Sequence, residues 1–187
     1  MNKKINVTQV VRLNKNNNSI IRTLNNLNPL LSKKINLKIL ECPYDSNGFI
    51  NKIKNLLWAI KIKDDLVHLT GDINYLAFSI RSPLITSILD LGMPKRYSRL
   101  KSFFYNLVWI DFPVIKSKYT ITISKKIHDD LTTRLNYYKK KIKIIHIPLE
   151  KNYTYNAKKI IEKKIKILHI ATSEHNKNTF RMASALK

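Results

Sequence analysis

Over its first 147 residues the chain repeats one alternation, a short β-rich run followed by a helix-periodic stretch, and few folds accept that pattern. The β-rich runs are Ile5–Arg12 (INVTQVVR), Ile35–Glu41 (INLKILE), Leu66–Leu69, Leu84–Leu89, Tyr119–Ile123 and Ile142–Ile147 (IKIIHI). Between them, Ser19 can cap a helix through Leu30 that carries Ile20, Ile21, Leu24 and Leu27 on one face. Phe49–Ile62 sets Ile50, Ile53, Leu57 and Ile60 in one stripe, which predicts its buried side. A helix is expected over Ile73–Ile80, an aromatic one over Tyr97–Asp111 that Pro113 ends, and one over Lys125–Leu135 behind Ser124. Six strands interleaved with helices predict an α/β domain, a Rossmann-like parallel sheet with helices on both faces. Ligands of such sheets bind beyond the carboxyl ends of the strands. Here those ends are followed by 13–18, 42–47, 68–74, 89–94 and 124–126 and, in the last segment of the chain, 171–178.

The division of the chain follows from the same reading. Residues 1–149 form the sheet domain, and 150–164, mixed in polar, Tyr and Lys residues, read as a linker. Residues 165–187 open a further strand, a polar turn and a helix start, as though a second domain began there. No apolar run approaches the ~20 residues of a membrane span, so a cytoplasmic chain is expected. Cys42 is the single cysteine, which excludes an intramolecular disulfide and a cysteine-rich zinc site.

A formal charge of +23 invites a nucleic-acid reading. Its make-up argues against one. Of 35 basic residues only 7 are Arg, the side chain suited to bidentate phosphate and base contacts, and the Lys, Asn and Ile excess is that of an AT-rich coding sequence. Attraction to an anionic membrane surface needs no such geometry. The chemistry of other classes is missing too. Three glycines, Gly48, Gly71 and Gly92, build neither a dinucleotide fingerprint nor a Walker loop, and no Ser stands in a nucleophile elbow. The histidines, His68, His128, His146, His169 and His175, show no metal-ligand spacing, and Asp64-Asp65 and Asp129-Asp130 are adjacent pairs rather than Asp-x-Asp. No metal site is expected.

Five segments in order carry a resemblance: DLVHLTGDINYLAF (65–78), SPLITSILDLGMP (82–94), SRLKSFFYNLVWIDFPVIKSKYTITISKKIHDDL (98–131), KIKIIHIPL (141–149) and KILHIATSEHNKNTFRMASAL (166–186). Together they resemble family-four glycosyltransferases of the GT-B fold, whose corresponding stretches read approximately D-x-x-H-x-T-G-D-x-H-Y-L-A, T-I-H-D, S-K-Y-x-x-x-I-S, V-I-x-N-P and I-L-x-I-G-T-x-x-N-K-N. The resemblance implies an acceptor-side domain over 1–149, a nucleotide-sugar-binding domain beginning at 165, and transfer between them. By that likeness the donor is a UDP- or GDP-sugar used without a metal. The acceptor is a glycan or lipid-linked saccharide of surface-polysaccharide synthesis, reached from the inner face of the membrane.

Position by position the likeness is mixed. His68, Gly71 and Asp72 match, at what reads as a strand end, and Asp90 matches the aspartate of T-I-H-D; His68, Asp72 and Asp90 are the catalytic candidates it supplies. Leu89 replaces the histidine before Asp90, and Asn74 replaces the second histidine of G-D-x-H. Asn18 and Ser19 stand where the family has a glycine-containing loop, and Ser124 where it opens a helix. Asn18, Ser19, Gly71, Asn74 and Ser124 are thus the substrate-contacting candidates, with Thr172 and Lys177 the implied contacts to the donor diphosphate; Ala171 replaces a glycine there. Leu can neither hydrogen-bond nor move a proton, so catalysis by this chain as it stands is not expected. A separate polypeptide carrying the donor domain is one implied partner.

Each candidate also has a structural reading. His68 can be a strand-end histidine satisfied by backbone, Asp72 and Asp90 turn residues, and Ser124 a plain N-cap. The aromatic helix suits either core packing or, with Arg96, Arg99 and Lys101, a membrane contact. A non-catalytic basic module docking on an anionic membrane or a partner transferase is the alternative function, and nucleic-acid binding the third.

Overall fold

The computed structural model describes residues 4–13, 19–91, 98–147 and 179–185, with the backbone alone over 19–22. It divides into two compact units, Met1–Glu150 and Lys151–Lys187. In the second, the described residues form one helix, Thr179–Ala185. The linker, Asn18, Gly92, Thr172 and Lys177 lie outside the described residues.

The first unit is an α/β domain built on six parallel strands. They are β1 (Asn6–Val11), β2 (Asn36–Glu41), β3 (Leu66–Thr70), β4 (Leu84–Ile88), β5 (Tyr119–Thr122) and β6 (Ile142–Ile144), in the order β2-β1-β3-β4-β5-β6. Helix α1 (Ser19–Leu31) joins β1 to β2, and α2 (Phe49–Ala59) joins β2 to β3. The chain steps outward in one direction from β1 to β2 and in the other from β3 to β6. Right-handed crossovers therefore require α1 on one face and the later helices on the other.

Alternation along the strands sets the core. Val10, Val67, Leu69 and Leu84 point to one face and pack with Ala59, Ile62, Ile73, Tyr75, Leu76 and Ile80. Farther along the sheet, Ile88, Ile110, Val114, Leu131 and Ile142 form a second cluster. The other face carries polar side chains, among them Gln9, His68 and Ser87.

Besides β6, which stops at Ile144 short of the expected Ile147, three elements differ from the sequence expectation. Asn74–Phe78, within the thirteen-residue link from β3 to β4, is a short 3-10 turn rather than an α-helix over Ile73–Ile80. The aromatic helix does not end at Pro113. Helix α3 (Arg99–Asn106) passes through a π turn at Leu107–Asp111, where the Phe112 amide reaches back to the Leu107 carbonyl. The coil then resumes as α4 (Phe112–Lys116), with Pro113 in its first turn, where a missing N–H costs nothing. Helix α5 (Lys125–Arg134) follows β5 as expected.

The third difference concerns α2. Its apolar stripe faces outward, with Phe49 78%, Ile50 69% and Leu57 60% exposed, and its opposite side, Asn55 and Ala59, is buried. Asn55 explains the orientation. Its side chain accepts from the Tyr44 amide, donates to the Tyr44 carbonyl and reaches the Tyr75 hydroxyl at 3.1 Å, clamping the loop after β2 onto the helix. Those bonds can form only with Asn55 turned inward, and small Ala59 lets the backbone approach the sheet.

Candidate functional site

The strand order reverses between β1 and β3, so the crevice of this sheet lies beyond their carboxyl ends. Arg12 follows β1, and Gly71-Asp72 follows β3. Gly71 has φ +77°, a left-handed conformation that glycine adopts without a Cβ clash. The turn it makes sets Asp72 opposite Arg12, whose guanidinium donates to the carboxylate at 2.8 Å. The Asp72 carbonyl in turn accepts from the Trp109 indole at 3.2 Å. An ion pair thus spans the switch point, open enough to solvent to add no more than about 1 kcal/mol.

One step inside the sheet lies a polar line across three strands. Gln9 of β1 is level with His68 of β3. The Gln9 amide nitrogen stands 3.3 Å from His68 Nδ1, and His68 Nε2 stands 2.8 Å from the Ser87 hydroxyl on β4. An amide nitrogen only donates, so Nδ1 is the acceptor and the ring hydrogen sits on Nε2, donated to Ser87. Burial pulls the His68 pKa from 6.5 to about 4. The imidazole is therefore neutral at physiological pH, and its partners are side chains rather than backbone. His68 is also the middle residue of β3 rather than its end, because Thr70 extends the strand and its hydroxyl donates to the Val10 carbonyl.

Asn74 joins this group through Ser87, whose backbone carbonyl accepts from its amide at 3.3 Å. Among the described residues, Gln9 Oε1 and Asn74 Oδ1 are buried acceptors with no donor. A buried acceptor left so costs about 1–3 kcal/mol, a cost that any donor reaching either oxygen would relieve.

The remaining candidates sit apart from that centre. Ser124 accepts from the Ile127 amide at 3.3 Å and caps α5, its N-cap reading. Asp90 is exposed two residues beyond β4 at the same edge, after half-buried Leu89. Ser19 opens α1. Asp64 and Asp65 tie down the opposite edge, accepting from the Thr8 hydroxyl at 2.7 Å and the Asn6 amide at 2.9 Å. An open depression lined by Asn6, Asn36, Leu37, Lys38 and Asp64 lies at that amino edge, remote from the switch point. The Asp129 carboxyl is held below its usual range by hydrogen bonds from Lys125 and then His128 on the surface of α5. Cys42 is buried and its thiol pushed up to about 12, so it is inert. Among the described residues no three His, Cys, Asp or Glu side chains gather to hold a metal, and no helix is long and apolar enough to cross a membrane.

Four contributors escaped the sequence reading: Arg12, Gln9, Ser87 and Trp109. A signal existed for two of them. Arg12 closes a strand at the edge where ligands bind, and Gln9 is a polar side chain inside a β-branched run. Ser87 and Trp109 join only through the sheet register and the packing of the π turn. No protein-family model matches the chain, and no curated protein is significantly similar to it.

Proposed function

We propose that the sheet domain is the acceptor-side half of a nucleotide-sugar-dependent glycosyltransferase system, a saccharide-binding domain that does not itself carry out transfer. The observation that carries this reading is the convergence of Arg12, Asp72, Gln9, His68, Ser87 and Asn74 at and just inside the switch point of an all-parallel sheet. A saccharide suits these groups because its hydroxyls donate hydrogen bonds, and Gln9 Oε1 and Asn74 Oδ1 are acceptors in want of donors. Asp72 and Arg12 at the mouth offer an acceptor and a cation to an acceptor sugar or to the phosphate of a lipid-linked one.

The same geometry argues against catalysis by this domain. A general base needs a lone pair free to face the attacking hydroxyl. His68 spends both ring nitrogens on Gln9 and Ser87, Ser124 is occupied as a cap, and Leu89 has no polar atom. Activation of a UDP- or GDP-sugar then falls to a donor-binding domain, in the same protein or on a separate polypeptide.

Backbone amide NMR with a panel of oligosaccharides and polyprenyl-phosphate sugars tests the proposal. A ligand of this site shifts the amides of Arg12, His68 to Asn74 and Ser87 and leaves β6 still, and Asn74→Ala weakens it about ten-fold. Shifts confined to other regions, or none with any saccharide, overturn the reading.

A further inference from the structure

The outward face of α2 is at odds with its place in a doubly wound domain. On a helix of 3.6 residues per turn, Phe49, Ile50, Ile53, Leu57 and Ile60 fall within an arc of about 100°. That arc lies opposite buried Asn55 and Ala59. Helix α3 repeats the design. Leu100, Phe103, Phe104 and Leu107 form an i, i+3, i+4, i+7 stripe, all are exposed, and α3 has no buried residue. The two helices are laced together where Lys52 of α2 lies 5.0 Å over the Trp109 ring, in the π turn that continues α3.

Charge discriminates among possible occupants. Residues 49–63 contain Lys52, Lys54, Lys61 and Lys63 and no acidic side chain, and Arg99 and Lys101 border the α3 stripe. A second copy of the chain, itself strongly basic, would set the same lysine and arginine borders against one another. Nucleic acid would satisfy the lysines but leave nine large apolar side chains in water. Aliphatic and aromatic side chains bordered by lysines match the boundary between acyl chains and anionic headgroups. We infer that the exposed apolar stripes of α2 and α3, with their basic borders, seat the domain on the surface of an anionic phospholipid bilayer without crossing it. This surface is independent of the saccharide reading, and either stands if the other fails.

Sedimentation of the full chain with phosphatidylcholine vesicles, with and without phosphatidylglycerol, tests the inference. Binding is expected only to the anionic vesicles. Phe103→Ser/Phe104→Ser and Ile50→Ser/Leu57→Ser each reduce it by about ten-fold or more, from the apolar area lost. Lys54→Gln/Lys61→Gln reduces it by about five-fold per lysine. Tyr137, 92% exposed on another part of the domain, is the control, and Tyr137→Ser leaves binding unchanged. All these side chains are exposed, and circular dichroism verifies that the variants keep the fold. Binding that ignores lipid charge, serine variants that bind like the parent, or self-association through the stripes in place of lipid binding would each overturn the inference.

Discussion

His68 offers a prediction whose size follows from its surroundings. The ring is held neutral between Gln9 and Ser87, with a pKa lowered from 6.5 to about 4 by burial. Between those values the unfolded chain binds a proton that the folded chain refuses. Stability is therefore fully present above about pH 6.5, falls as the pH drops through the window, and levels off below about pH 4. A shift of this size corresponds to at most about 3 kcal/mol, of which about 2 kcal/mol is lost by about pH 5. The ring keeps some solvent exposure, so the lower part of that range is expected. With a urea slope near 2 kcal/mol per molar, the unfolding midpoint of the parent falls by about 1 M between about pH 7 and pH 5. Carboxylates and the other histidines add their own trends, so the informative quantity is the difference from His68→Gln, which keeps a hydrogen-bonding group but no titrating ring. The variant should lose about 1–2 kcal/mol of the parent's pH dependence over this window. A variant with the parent's profile, or a His68 ring resonance that titrates near its ordinary value, refutes the reasoning.

Two further perturbations probe the framework. Asn55→Ala should cost about 2–4 kcal/mol in urea unfolding, because it leaves the Tyr44 amide and carbonyl and the Tyr75 hydroxyl without their partner in the interior; a loss under about 1 kcal/mol would show that the clamp is dispensable. Gly48→Ala should cost about 2–3 kcal/mol from backbone conformation alone, since φ +81° with ψ 150° is an extended conformation open essentially to glycine, while a Cβ there meets nothing within 4 Å; a neutral result would mean that the turn relaxes freely.

The fold was largely legible because its signals are local. Strands β1 to β5 fall within a residue of the runs of β-branched side chains, and Ser124 caps α5, the helix expected directly behind it. What failed depended on choices between faces. The α2 stripe is correctly periodic, yet periodicity does not say which side is buried, and the bonds of Asn55 reverse the usual answer. Pro113 is a sound helix breaker until a π turn changes the register ahead of it. His68 lay one residue from the apparent strand end, and the Thr70 ladder contact with Ser87 moved it inside. The site was legible on the β3 turn, where Gly71 and Asp72 follow the strand, and illegible across the sheet. Gln9 and Ser87 lie 59 and 19 residues from His68 in sequence, and only the parallel register brings them to it.

That separation divides the switch point into two parts that answer to different variables. The Arg12–Asp72 pair is partly exposed, with side-chain exposures of 36% and 68%, and salt screens it. The Gln9–His68–Ser87 line is mostly buried, with the ring partly exposed, so it is less sensitive to salt than the ion pair and responds to pH through the ring alone. A saccharide held by the inner oxygens of Gln9 and Asn74 should therefore bind with little dependence on ionic strength and lose affinity as His68 is forced to protonate. A phosphate held by Arg12 must displace Asp72 from it, and its affinity should fall steeply with salt while Asp72→Asn strengthens it. Titrations over salt at fixed pH, and over pH at fixed salt, separate recognition of the sugar from recognition of its phosphate. Equal dependence on both variables would mean that the two layers act as one site.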